Sequence, residues 1–359
     1  MAPSNMKILP RLILAFILVA FMHHSFAKDE LKLTFALDLV RHGDRAPIED
    51  FPALSNAWKQ EEFGQLTELG AKDAEALGKK FREYYINKTH LLPESFDFEA
   101  TSVRSTNFQR TIDTARNLMK GFYPKEAGQI EIEVPPLEED VLMRNRTKFR
   151  YEEFKKLGKL NEEIAANSQS EPYPSIRHAL GELNQIFGTN YSAIGEASGI
   201  GDLLRASKIH NRPLLKKIDA NLEEKFIKLL DKTRLLWFRN VPAISCIFAQ
   251  DFISYVADLI DNNSRGYKYV LYAGHDSSIL GSLVLLNYAP SDYYELRYLA
   301  NLRFEIFQNT KTNDAFVKTS FDGKALNICS TELCPVNDFV KTLKANVEDK
   351  CKQGINLKR

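Results

Sequence analysis

Two histidine-bearing stretches, far apart in the chain, carry the side chains that could do chemistry. The first is Arg41-His42-Gly43-Asp44-Arg45-Ala46-Pro47, which follows the apolar run Leu31 to Val40. A neutral imidazole between arginines suits attack on phosphorus: the ring supplies a lone pair, and planar guanidiniums match phosphoryl oxygens and stay charged at any working pH. An ordinary charged turn would also hold arginines and a histidine. The full pattern Arg-His-Gly-x-Arg-x-Pro is more particular than a turn requires. The second stretch, Gly274-His275-Asp276-Ser277-Ser278, stands between the strand-like Tyr267 to Ala273 and an apolar helical segment from Ile279 to Leu286. Helix capping accounts for the aspartate and serines, but it does not call for a histidine.

The elements around these stretches read as α/β. A buried strand that delivers reactive groups at its C-terminal end fits both. Gly43 permits a sharp turn and close approach to a ligand, and Pro47 stiffens the exit. Leu66, Leu69, Ala74, Leu77, Phe81 and Tyr84 recur at helical spacing, so a helix is predicted from Thr67, its cap, to about Tyr85. A short strand, Thr101 to Thr106, leads to another helix running to about Met119, with Asn107 expected as its cap. Arg110, read as almost two turns into that helix, is expected to be a surface or capping residue rather than a ligand. From about Val134 to Arg234 the chain turns polar and proline-broken, with predicted helices at Lys148–Ile164, Arg177–Phe187 and Asn221–Leu236. His178 and His210 in this part have no second ligand at metal-like spacing and are expected to be surface or packing residues. Asn301 to Phe307 and Asp314 to Ser320 read as a hairpin, and Val336 to Val347 as a last helix.

The motif Arg41 to Pro47, the Gln65-Leu66-Thr67-Glu68-Leu69-Gly70 segment, Arg104-Ser105-Thr106 and the His275-Asp276 pair together resemble the histidine acid phosphatases, across nearly all of the chain after residue 27. The resemblance implies a phosphoglycerate-mutase-like α/β core, a central sheet flanked by helices, built from 28–133 and 235–359. A mainly helical cap at 134–234 is inserted into it. It also implies His42 as the nucleophile that becomes phosphorylated and Asp276 as the proton donor. Arg41, Arg45, Arg104 and His275 are the implied phosphoryl ligands. Asn107 departs from the family's usual aspartate. The implied reaction is hydrolysis of small phosphate monoesters, with broad specificity, an acidic optimum and no metal or other cofactor, since arginines supply the positive charge. A phytase or sugar-phosphate specialist of the same family is the nearer alternative. A phospholigand-binding envelope protein without turnover is the more distant one.

Residues 1–27 read as a secretory signal, with Lys7 and Arg11 in the n-region, an apolar run from Leu12 to Met22 and Ser25-Phe26-Ala27 at the cleavage site. The apolar run is short of the roughly 20 residues a spanning helix needs. No membrane anchor is therefore expected after cleavage, and no later stretch reads as long and apolar enough to span. Losing Lys7 and Arg11 takes the formal charge from +1 to −1, a balance that argues against nucleic-acid or anionic-membrane partners. Export to the periplasm or the exterior suits disulfides. Cys329 and Cys334 could close a small loop, as the family often does, which by elimination leaves Cys246 with Cys351. Asn87, Asn145, Asn190 and Asn262 lie in Asn-x-Ser/Thr sequons. A homodimer and a monomer are both open.

Overall fold

The computed structural model describes residues 30–142, 148–263, 265–288 and 296–352. The signal segment 1–27 and the Asn145 sequon lie outside the described residues. The central sheet runs β2-β3-β1-β4-β5-β6, with β7 beside β5. Its strands are β1 (Leu31–Arg41), β2 (Thr101–Ser105), β3 (Tyr269–Gly274), β4 (Asn301–Asn309), β5 (Ala315–Phe321), β6 (Lys324–Leu326) and β7 (Leu333–Pro335). β1 and β2 both pair with β3 in parallel, while β4 pairs antiparallel with β1.

From Phe35 to Val40 β1 is apolar but for Asp38, because the strand is central and covered on both faces. Phe35, Leu37 and Leu39 face one core with helices α7 (Pro242–Asp261), α8 (Asp276–Leu285) and α9 (Val336–Lys352). Leu33, Ala36 and Val40 face the other, with α1 (Glu68–Arg82) and α2 (Gln109–Phe122). A register shift between Leu33 and Phe35 explains why these two odd-numbered residues point to opposite cores. By length and composition α7 could cross a membrane, contrary to the expectation that no such stretch follows the signal, but it is the main helix of the first core. Its Cys246 is disulfide-bonded to Cys351 of α9, and Cys329 is bonded to Cys334.

Four helices follow α2: α3 (Lys148–Asn167), α4 (Tyr173–Phe187), α5 (Ile194–Ile209) and α6 (Ala220–Asn240). They build a separate apolar cluster, into which Ala46, Phe51, Leu54 and Trp58 from the segment after the first motif also pack. α5 is absent from the sequence expectation, because its almost wholly buried Ile200 to Ser207 turn shows no polar face. α6 continues past residue 234 to Asn240.

Polar contacts tie these helices to the loop after β1. Arg45 donates twice to Asp202 of α5, at 2.8 and 2.9 Å, and the Ile48 amide donates to the same carboxylate at 3.0 Å. His210, expected to be a surface or packing residue, packs against the edge of Trp58 and also meets Asp44 at 2.6 Å. His178 is exposed and pairs with Glu182, as a surface residue would.

The loop also presses on α1. Thr67 caps that helix through the Gly70 amide at 3.1 Å. A Cβ on Gly70 would strike the Asp44 carbonyl oxygen, and one on Gly43 would lie 2.7 Å from the Gly70 carbonyl oxygen. Here the glycines serve backbone-to-backbone approach. Gly70→Ala should therefore cost about 1–3 kcal/mol by overpacking, read as a lower urea midpoint; an unchanged midpoint would show that the loop yields.

Burial pushes the Asp202 carboxyl up, but the charge and hydrogen bonds of Arg45, with Arg234 and the Ile48 amide, bring it to about 2. A depressed pKa stabilises fully above the unfolded value of 3.8 and is lost as pH falls through about 2. The pH-dependent part is about 2 kcal/mol. The stability gap between wild type and Asp202→Asn should be widest above pH 4 and shrink towards pH 2 in parallel denaturation curves.

Candidate active site

The carboxyl ends of β1, β3 and β2 bring the two histidine stretches and the Thr106 region together. The parallel ladder continues past the strand ends. The His42 amide donates to the Gly274 carbonyl at 2.9 Å and the Thr106 amide to the Ala273 carbonyl at 3.2 Å. With backbones pinned this way, the His42 and His275 rings stand 5.7 Å apart, nearly perpendicular.

His42 is buried, and its Nδ1 lies 2.9 Å from the Gly43 carbonyl oxygen. A carbonyl only accepts, so Nδ1 carries the proton and the Nε2 lone pair faces the site. Burial, followed by the charges of Arg41, Arg45 and Arg110, holds the ring's pKa well below 6.5 despite the Gly43 bond. The imidazole is therefore neutral and nucleophilic at moderately acidic pH.

Arg41 and Arg45 are each 1% exposed. Arg41 donates to the Leu296 carbonyl, lies over the Tyr298 ring at 4.6 Å and reaches Asp276 at 3.5 Å. Arg45 is fixed by its fork to Asp202. Asp276 opens α8, where its Oδ1 accepts the Ser277 amide at 2.8 Å and its Oδ2 meets Arg234 of α6 at 3.2 Å. Burial raises the Asp276 pKa, yet the charges of Arg234, Arg41, His42 and Arg45 outweigh it and hold the carboxyl well below 3.8. His275 Nδ1 accepts from Arg110 at 3.3 Å, since arginine only donates, and Nε2 is 2.9 Å from the Thr106 hydroxyl.

Arg104 is the sequence-expected ligand that does not join this group. Its guanidinium forks between Glu133 at 2.9 Å and the fully buried Asp140 at 3.0 Å. Arg110 stands beside His275 at the site instead, against the expectation of a surface or capping residue. The reason is where α2 begins. The helix starts at Gln109 with Phe108 at its cap position, and Asn107 is exposed and does not cap it. Arg110 is thus in the first turn, at the mouth of the sheet, rather than two turns along. Sequence reasoning also passed over Asp202, Arg234 and Tyr298. For Asp202 a signal existed, a carboxylate inside an otherwise apolar helical turn; Arg234 and Tyr298 carry none that spacing would reveal.

Residues 32–153 match the histidine phosphatase superfamily (branch 2). Prostatic acid phosphatase of Homo sapiens is 31% identical over 295 residues, spanning 76% of this chain and 73% of the relative. Lysosomal acid phosphatase of Xenopus laevis is 26% identical over 347 residues, spanning 87% of this chain and 76% of the relative. Among solved structures, the phytase of Klebsiella sp ASR1 superposes with a TM-score of 0.69 at 16% identity, covering 92% of this chain and 99% of that one. A multiple inositol polyphosphate phosphatase of Bifidobacterium longum, solved with phosphate, gives 0.62 at 14% identity, with 90% and 94% covered. At such identities the structural likeness speaks for the fold, while the human relative speaks for descent, and the chain belongs to the histidine acid phosphatases of branch 2 of the histidine phosphatase superfamily.

Proposed function

We propose that this phosphatase is exported and hydrolyses a broad range of small phosphate monoesters through a phosphohistidine on His42. The observation that carries the reading is the neutral His42 ring, its Nδ1 proton tied to Gly43, in the field of Arg41, Arg45 and Arg110. His42 Nε2 forms a bond to phosphorus as the ester P–O bond breaks, and the departing oxygen takes a proton from Asp276. Water then attacks phosphorus, the P–N bond breaks, and the Asp276 carboxylate takes the water's proton. Arg41, Arg45, Arg110 and His275 hold the phosphoryl oxygens, with Arg110 in the role first expected of Arg104. Segment 134–234, inserted in the sequence between the core pieces 28–133 and 235–359, walls the substrate cleft. A signal at 1–27, the two disulfides and the exposed Asn87, Asn190 and Asn262 support an exported or lumenal location.

The Asp276 carboxyl is ionised among these arginines, so its catalytic proton arrives with the substrate. A phosphomonoester monoanion, whose second pKa is about 6, brings one. Once it is bound, its negative charge occupies the arginine field that kept Asp276 ionised, and the proton moves to the carboxylate. Above the substrate's second pKa that form disappears, so kcat/KM should fall about tenfold per pH unit beyond about pH 6. The lowered His42 pKa sets the acid side well below 6.5. Rates across pH 3 to 9 on esters of different second pKa check this. An optimum at or above neutral pH would remove Asp276 as the acid.

His42→Ala should abolish turnover across a panel of aryl, sugar and inositol phosphates, and no phosphoenzyme should be trapped by acid quench. A fully active variant would sink the mechanism. Arg110→Ala should lower kcat/KM by about 10²–10³-fold, the loss of one such donor. Arg104→Ala should instead lower stability, by removing a guanidinium from the buried Asp140, and spare kcat/KM. The opposite ranking in the same kinetic and denaturation assays would restore Arg104 to the site.

A further inference from the structure

Tyr298 presents a feature of this site that the proposed mechanism leaves unexplained. Its ring lies 5.9 Å from His42, tilted by 44°, and the Arg41 guanidinium sits 4.6 Å from its centroid. Its hydroxyl oxygen is buried and has no hydrogen-bond partner among the described residues. Buried hydroxyls are nearly always paired, so one left open beside a reactive centre points to a ligand that is bound only during function.

The surrounding charges say which ligand. The Arg41 guanidinium lies over the Tyr298 ring, the His42 ring stands beside it, and the charges of Arg45, Asp202 and Arg41 act on the hydroxyl. Of the other polar groups there, Arg45 bonds Asp202, Arg41 the Leu296 carbonyl, and His275 Thr106 and Arg110, while the Nε atoms of Arg41 and Arg45 have no hydrogen-bond partner among the described residues. A group bound between Arg41, Arg45 and the His42 ring is anionic and carries oxygens. Burial raises the phenol's pKa above its usual 10, so the hydroxyl keeps its proton throughout the working range and can only donate to such an anion.

We propose that the Tyr298 hydroxyl donates a hydrogen bond to a phosphoryl oxygen of the group being transferred to His42, as a further substrate-binding and catalytic residue beside the arginines. This rests on the phosphohistidine reading above. Tyr298 lies in the segment just before β4, whereas Arg41 ends β1, Arg45 stands in the loop after it and Arg110 in α2.

The test is Tyr298→Phe, which keeps the ring against Arg41 and His42 and removes only the hydroxyl. If the proposal holds, kcat/KM on an aryl phosphate falls tenfold or more, and the inhibition constant for vanadate, which copies the five-coordinate phosphorus, rises by a similar factor. The thermal midpoint stays level or rises, because an unpaired buried hydroxyl has been removed. Unchanged kcat/KM and vanadate inhibition would overturn the proposal. So would a midpoint several degrees lower, which would mean that the hydroxyl serves a structural partner. Wild type run alongside separates the two layers. If it turns over and yields a trappable phosphoenzyme while Tyr298→Phe matches it, this inference alone fails; if wild type shows neither, the mechanism falls and this role with it.

Discussion

Buried positive charge is the constraint around which this molecule is arranged. Arg41 and Arg45 lose nearly all contact with water. Isolated buried ions cost several kcal/mol each, so they persist only where counter-charges and hydrogen bonds are supplied. Asp202 meets Arg45 edge to edge, while Asp276 and the Leu296 carbonyl meet Arg41. Such pairs add little net stability, since desolvation offsets most of the attraction. What they provide is position. Two guanidiniums are held side by side, with one edge committed to protein and the remaining field turned to the space beside His42.

That arrangement fixes the protonation states the chemistry needs. Burial, and after it the charges that would attract a phosphoryl group, keep the His42 ring neutral, and those charges with Arg234 keep the Asp276 carboxyl ionised. The proposed nucleophile and proton carrier are thus both held in their deprotonated forms. An incoming phosphate anion shares that field, which is how binding and proton transfer become linked.

The counter-charges also decide how the helices of 148–240 sit on the core. Asp202 comes from α5, Arg234 from α6, and His210, which follows α5, reaches Asp44. The first motif and its surroundings are therefore completed by residues more than 150 positions downstream. Beneath the site, Asp38 in the middle of β1 is paired with Arg303 and Asn301 of β4 and with the hydroxyls of Tyr85 and Tyr269. This second buried charge, fully satisfied, fixes β1 laterally against its neighbours and so sets where Arg41 and His42 emerge.

Features written in one contiguous stretch were legible from the sequence. Arg41 to Pro47 and Gly274 to Ser278 each follow a strand whose apolar run must be buried, and burial on a shared sheet brings their ends together. The Thr67 cap of α1 and the β4–β5 hairpin are equally local. What depended on distant partners was not legible. Arg104 and Arg110 are six residues apart, and the choice between them rests on Glu133 and Asp140 drawing Arg104 aside and on α2 starting at Gln109. The residue types alone determined a phosphate-directed histidine between arginines. Only the tertiary structure decided which further charges surround it, because a guanidinium's direction is set by the carboxylates that packing brings within reach.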